Sequence, residues 1–132
     1  MITLICGLPN AGKTTYSSRY DSVIHFDAIP HTNTMEQFAK CNEMASKASG
    51  DVCVEGVYNS VKRRKELLKA CIHHDRKVCI WLDTPLEECL SRERSYRKRP
   101  LDITRSHHRT FEPPTLSEGW DEIIRIEWQQ QD

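Results

Sequence analysis

An excess of charge of either sign is missing from this chain. Lysines and arginines number 19 and aspartates and glutamates 19 over 132 residues, so overall charge gives no pull toward nucleic acid or an acidic surface. No apolar run approaches ~18 residues, which excludes a transmembrane helix and any membrane partner built on one. No positive region precedes the first apolar stretch, so that stretch reads as a strand and not as a signal peptide. The six cysteines, Cys6, Cys41, Cys53, Cys71, Cys79 and Cys89, form no C-x-x-C pair and no Cys/His cluster with zinc spacing. Cys6, Cys53 and Cys79 lie inside apolar runs, where a thiol acts as a small hydrophobe; reduced thiols in an intracellular, cytoplasmic setting are expected. Internal repeats, low-complexity tracts and linkers are also missing, and residues 1–132 read as a single domain.

What is present starts at once. Gly7-Leu8-Pro9-Asn10-Ala11-Gly12-Lys13-Thr14 spells G-x-x-x-x-G-K-T directly after the apolar Ile2–Cys6 run, a strand feeding a phosphate-binding loop. The glycines let successive N–H groups turn inward onto phosphate oxygens. Lys13 then reaches the β- and γ-phosphates and the Thr14 hydroxyl is placed to ligate Mg²⁺. A helix opening near Lys13 adds its positive end to the same anion. Gly7, Asn10, Ala11, Gly12, Lys13, Thr14 and Thr15 are thus the expected nucleotide site, with ATP and Mg²⁺ as its ligands.

Four more apolar runs, at 22–26, 51–55, 78–82 and 123–128, read as strands, the last nearer an edge because it partly alternates. Helices are expected at 13–20, 34–48, 62–74 and 86–97, with Gly50 ending the second and Thr84-Pro85 opening the fourth. Strands alternating with helices give an α/β domain, a parallel five-stranded sheet of expected order 2-3-1-4-5 with helices on both faces. Active sites in such sheets lie beyond the strand C-termini, which singles out Asp27, Glu55 and Asp83. From Arg92 to Arg109 the chain carries Arg92, Arg94, Arg97, Lys98, Arg99, Arg105 and Arg109 against only Glu93 and Asp102. This late helix and its downstream loop are a basic patch suited to anionic substrates.

Fold alone does not choose among phosphate-loop functions. No guanine-reading N-K-x-D motif occurs, and the arginine-bearing late helix suggests a short lid and phosphoryl transfer to a bound acceptor. Transfer needs a cradle for ATP, a base for the acceptor hydroxyl and cations over the migrating group. Asp27 is the expected base; Lys13, Arg92 and Arg94 are the expected cations, with Arg97 in reserve, because arginine spans two phosphoryl oxygens and keeps its charge.

Taken together, G-L-P-N-A-G-K-T-T, the H-F-D ending at Asp27, D-V-C-V-E-G followed by Lys62-Arg63-Arg64, W-L-D-T-P-L-E-E-C-L-S-R-E-R, and F-E-P-P-T-L-S-E-G-W resemble the polynucleotide 5′-hydroxyl kinase family. The resemblance spans nearly the whole chain and is most specific at F-E-P-P-T-L-S-E-G-W. It implies ATP-dependent phosphorylation of 5′-OH ends of DNA or RNA, in repair or re-sealing of cleaved ends, with Lys13 and Thr14 as the loop pair, Asp27 as general base and Arg92 or Arg94 as lid arginine. Glu55-Gly56-Val57-Tyr58 departs from the family's Asp-x-x-Asn pattern, and Pro30 stands where phage members carry an arginine. No D-x-D-x-T signature occurs, so a fused 3′-phosphatase is not expected. Nucleic acid ends would draw on basic residues near the acceptor, with Arg63, Arg97 and Arg109 the named candidates and Lys62, Arg64, His107 and His108 available. Tyr58 or Tyr96 could stack on a terminal base; Trp81, Trp120 and Trp128 read as packing residues. Two alternatives stay open: a P-loop kinase of a small metabolite or nucleotide, and a non-catalytic ATP-binding regulatory module.

Overall fold

The computed structural model describes residues 1–96 and 99–129. Five strands, β1 (Ile2–Cys6), β2 (Val23–His25), β3 (Val52–Glu55), β4 (Lys77–Asp83) and β5 (Glu122–Glu127), form one sheet of order β2-β3-β1-β4-β5. Every ladder is parallel. The apolar runs β1 and β3 are buried at every residue, as strands covered on both faces require. β5 is an edge strand, in keeping with its alternating pattern.

Period-two alternation divides the core. Leu4, Cys6, Val54 and Cys79 face one layer, with Phe38, Cys41 and Ala45 of α2 (Thr34–Lys47) and Leu67 and Leu68 of α3 (Val61–Ala70). Ile5, Cys53, Val78, Ile80 and Leu82 face the other, with Tyr16 of α1 (Lys13–Ser17) and Cys89 of α4 (Leu86–Tyr96). All six thiols are free and buried. No described helix is long and apolar enough to cross a membrane.

Some helix ends fall short of expectation. α1 stops at Ser17, not at residue 20, and α3 stops at Ala70, not at residue 74; turn hydrogen bonds, Tyr20 N–H to Ser17 O at 3.0 Å and His74 N–H to Cys71 O at 3.0 Å, take over. Asn33 caps α2 by accepting from Glu36 N–H, and Ser60 caps α3 by accepting from Arg63 N–H. The stretch expected to be a loop after the fourth helix is a fifth helix, α5 (Leu101–Thr110), opened at Pro100 and anchored by the buried Thr104. Its charges mask the few residues that hold it down.

The segment after α5 closes the fold through one arginine. Arg64 is 0% exposed and donates to Glu118 Oε1 at 2.8 Å, Tyr58 O at 2.7 Å and Glu112 O at 2.7 Å. Glu118 also accepts from Thr115 N–H at 2.8 Å and Trp120 Nε1 at 3.2 Å. Arg64 is therefore a structural clasp, closed to nucleic acid. Tyr58 is likewise unavailable for stacking: it is 1% exposed, and its hydroxyl donates to Asn42 Oδ1 at 3.1 Å. Trp120 is buried, whereas Trp81 is half-buried and stacks on Phe111 with ring centroids 5.7 Å apart.

Candidate active site

An open cleft of about 1150 Å³ lies beyond the C-terminal ends of the central strands, where parallel sheets place their sites. The loop after β1 forms its floor. At Gly7 a Cβ would stand 2.8 Å from Leu82 O, so only glycine lets the loop pass this close to β4. Gly12 has φ of 105°, a left-handed conformation that side chains resist. Thr84 Oγ1 donates to Ala11 O at 2.8 Å, and Arg92 Nη1 donates to Asn10 O at 2.8 Å, fixing the loop from β4 and α4. Glu88 steadies that arginine at 3.0 Å.

Gly7→Ala tests the close approach. Overpacking against a backbone carbonyl is expected to cost ~1–3 kcal/mol, with ATP affinity falling roughly tenfold or more as the cradle shifts. Denaturant unfolding and titration calorimetry read the two effects.

Lys13 is buried, its Nζ donating to Leu8 O at 2.6 Å and Gly7 O at 3.1 Å. Burial lowers its pKa, while the nearby carboxylates of Glu55 and Asp27 pull it back up. Asn10 Nδ2 is buried with no hydrogen-bond partner among the described residues, a donor for which a phosphate oxygen would be the acceptor. Thr14 Oγ1 donates to Glu55 Oε1 at 3.4 Å, and His25 Nδ1 lies 2.9 Å from the same oxygen. The lining of the cleft holds Lys13, Thr14, His25, Asp27 and Glu55 together. A carboxylate and a hydroxyl are the hard oxygen donors that Mg²⁺ takes, so these residues fit a metal–triphosphate complex. Among the described residues no group of three or more His, Cys, Asp or Glu forms a closed metal cage.

Asp27 sits in a short 3₁₀ turn, Phe26–Ala28, straight after β2. Phe26 pins the turn into the core against Phe38, ring centroids 4.5 Å apart, and Gln37 Nε2 donates to Phe26 O at 2.9 Å. The Asp27 side chain itself is exposed to the cleft. Asp83, the third strand-end carboxylate, is instead engaged by Arg125, whose Nε donates to it at 2.9 Å.

The arginines are redistributed relative to expectation. Arg92 and Arg99 line the cleft, and Arg99 Nε lies 3.0 Å from the buried Glu93 carboxylate. Arg94 is exposed and outside the cleft lining, because it points from another face of α4. Arg63 lies over the Phe38 ring at 4.4 Å and pairs with Glu66, and Arg109 is exposed on α5; neither lines the cleft. Arg97 falls outside the described residues. His107, half-buried on α5, has its pKa lowered by burial and by the charges of Lys13 and Arg99, against a weaker opposing pull from Asp27. These effects favour its neutral imidazole form. Tyr96, a stacking candidate, is 62% exposed on the rim, and Trp128, expected to pack, is 36% exposed there, while His25 and Arg19, which the sequence did not single out, also line the cleft.

No family model and no curated protein sequence matches the chain. Solved structures do. Kti12 from Chaetomium thermophilum, in complex with ADP-AlF3, is 14% identical with a TM-score of 0.76 over 100% of this chain and 92% of that one. A gluconokinase from Sinorhizobium meliloti 1021 is 16% identical with a TM-score of 0.72, over 98% of this chain and 83% of its own. A fungal RNA kinase is 12% identical with a TM-score of 0.70, over 99% and 77%. At such identities the likeness is one of fold: the chain shares the α/β fold of these proteins, with its parallel sheet of order β2-β3-β1-β4-β5.

Proposed function

We propose that this domain transfers the γ-phosphoryl group of ATP to the 5′-hydroxyl end of DNA or RNA. The observation that carries the reading is the convergence of Lys13, Thr14 and Asp27 on one cleft whose rim bears exposed Tyr96 and Trp128. Asp27 accepts the proton of the acceptor hydroxyl as its oxygen bonds to the γ-phosphorus and the bond to the β,γ-bridging oxygen breaks. Lys13, Arg92 and Arg99 balance the charge spread over the transferred group. Thr14 and Glu55 are the residues that would hold Mg²⁺, which when bound neutralises phosphate charge. Aromatic faces at the rim suit nucleobases, every one of which presents a π-face. The resemblance to polynucleotide kinases and the shared fold with an RNA kinase support this acceptor.

One observation favours a second reading. Arg63, Arg64 and Arg109 stand away from the cleft, and another fold neighbour is a gluconokinase, so a small hydroxyl compound is the rival acceptor. Salt separates the two. Steady-state transfer is measured with 5′-OH DNA, 5′-OH RNA, gluconate and a nucleoside at rising NaCl. A polynucleotide acceptor gives a KM that climbs steeply with salt, through counterion release at its phosphates; transfer to gluconate or the nucleoside alone, insensitive to salt, establishes the rival.

A further inference from the structure

His25 belongs to no part of the phosphate loop, yet it lies beside the most deeply buried acid of the cleft. Residues His25 and Glu55 are register partners on the adjacent parallel strands β2 and β3, so their side chains leave the same face of the sheet. That is the face on which α1 sits, since Val23 and Cys53 pack in its layer. Glu55 is 5% exposed, and a carboxylate so placed needs donors. Thr14 Oγ1, at 3.4 Å, is a long one; His25 Nδ1, at 2.9 Å, is the short one. An ionised carboxylate only accepts, so this contact is a hydrogen bond when the ring proton resides on Nδ1.

We propose that His25 is a positioning residue for the metal–nucleotide site, an inference that rests on the P-loop kinase reading above. Its Nδ1–H fixes the Glu55 carboxylate, and Glu55 in turn orients the Thr14 hydroxyl. With its proton committed to Glu55, Thr14 presents lone pairs to the metal side of the loop. The imidazole keeps its other nitrogen, Nε2, for the cleft: no described group bonds to it, and the side chain is 42% exposed. Partners one bond removed from a metal ligand set ligand orientation and basicity, and their loss costs about 10–100-fold in metal affinity.

Two measurements test this. Long-range ¹H–¹⁵N correlation NMR on the nucleotide-free protein at pH 8 reads the His25 tautomer directly. The proposal requires the proton on Nδ1; a proton on Nε2 overturns it. Calorimetric titration then gives the Mg²⁺ concentration that half-saturates ADP binding. His25→Ala should raise it about tenfold or more. His25→Asn, whose Nδ2–H takes the place of Nδ1–H, should restore most of the loss. Equal behaviour of the two variants, in either direction, contradicts a positioning role. Neither measurement needs an acceptor, so failure of phosphoryl transfer leaves this test standing. If the wild-type protein binds no Mg·ADP, the reading beneath the proposal has failed, whereas normal Mg·ADP binding with the proton on Nε2 overturns the proposal alone.

Discussion

Asp27→Asn should lower kcat for phosphorylation of a 5′-hydroxyl end by roughly 10²–10⁴-fold, the usual worth of a positioned general base, while ATP affinity and stability stay close to wild type. The variant keeps the shape of the side chain and removes its ability to take a proton. Stability is spared because the exposed carboxylate bonds to no other described residue: the turn is carried by Phe26 in the core and by the Gln37 bond to its carbonyl. ATP binding is spared because the cradle is built from Gly7, Gly12, Lys13 and their anchors Thr84 and Arg92. Loss confined to kcat marks an interaction made in the transition state. Rapid-quench or steady-state kinetics with Asp27→Asn check it, and wild-type turnover in that variant would remove Asp27 from the chemistry.

Arg64→Ala should destabilise the fold by about 3–5 kcal/mol, the cost of leaving one partner of a buried pair behind. Glu118 is 1% exposed at the side chain and Arg64 0%, so the orphaned carboxylate has no water to turn to. Two backbone carbonyls, of Tyr58 and Glu112, lose their donor as well. Replacing both members, as in Arg64→Leu with Glu118→Leu, should recover part of the loss, because the desolvated charge is then gone. Urea unfolding of the single and double variants measures both. The clasp also sets a pH dependence. Burial by itself raises the Glu118 pKa, but hydrogen bonds from Arg64, Thr115 and Trp120 outweigh it and hold the pKa below the usual 4.5. A carboxyl depressed on folding stabilises the protein above its unfolded value, so this contribution is full at neutral pH and drains away as pH falls below 4.5 through the folded value. Arg64→Ala should flatten that slope.

The clasp also shows what the sequence could and could not say. F-E-P-P-T-L-S-E-G-W carries the most specific part of the resemblance read from the sequence, and its residues serve architecture: Glu112 and Glu118 receive Arg64, Thr115 and Glu118 cap a 3₁₀ turn, and Trp120 fills the core. The sheet was legible because buried parallel strands are continuous apolar runs, and the phosphate loop because its backbone path demands glycine at fixed spacing. The position of Asp27 on the cleft was legible because it directly follows a strand, at the end of the sheet where such clefts open. What stayed hidden depends on tertiary direction. Arg92, Arg94 and Arg99 look alike in a basic run, but only Arg92 and Arg99 line the cleft. Arg64 and Arg63 are neighbours, yet one is sealed inside the clasp and the other lies over Phe38. α5 was missed because one buried threonine and a proline cap are faint against its charges. His25 escaped because its partner Glu55 lies thirty residues away and meets it only through the β2–β3 register.

The central claim is that the cleft moves a phosphoryl group onto a polynucleotide end, and the fate of the γ-phosphate of labelled ATP tests it most directly. Protein, Mg²⁺ and γ-labelled ATP are incubated with a 5′-OH oligonucleotide and, separately, with the same strand already 5′-phosphorylated. Label on the 5′-OH strand and none on the 5′-phosphorylated strand is the expected result. Bound ATP with label left in the nucleotide, or released only as inorganic phosphate, would contradict it and leave a kinase of a small acceptor or a nucleotide-binding module as the reading.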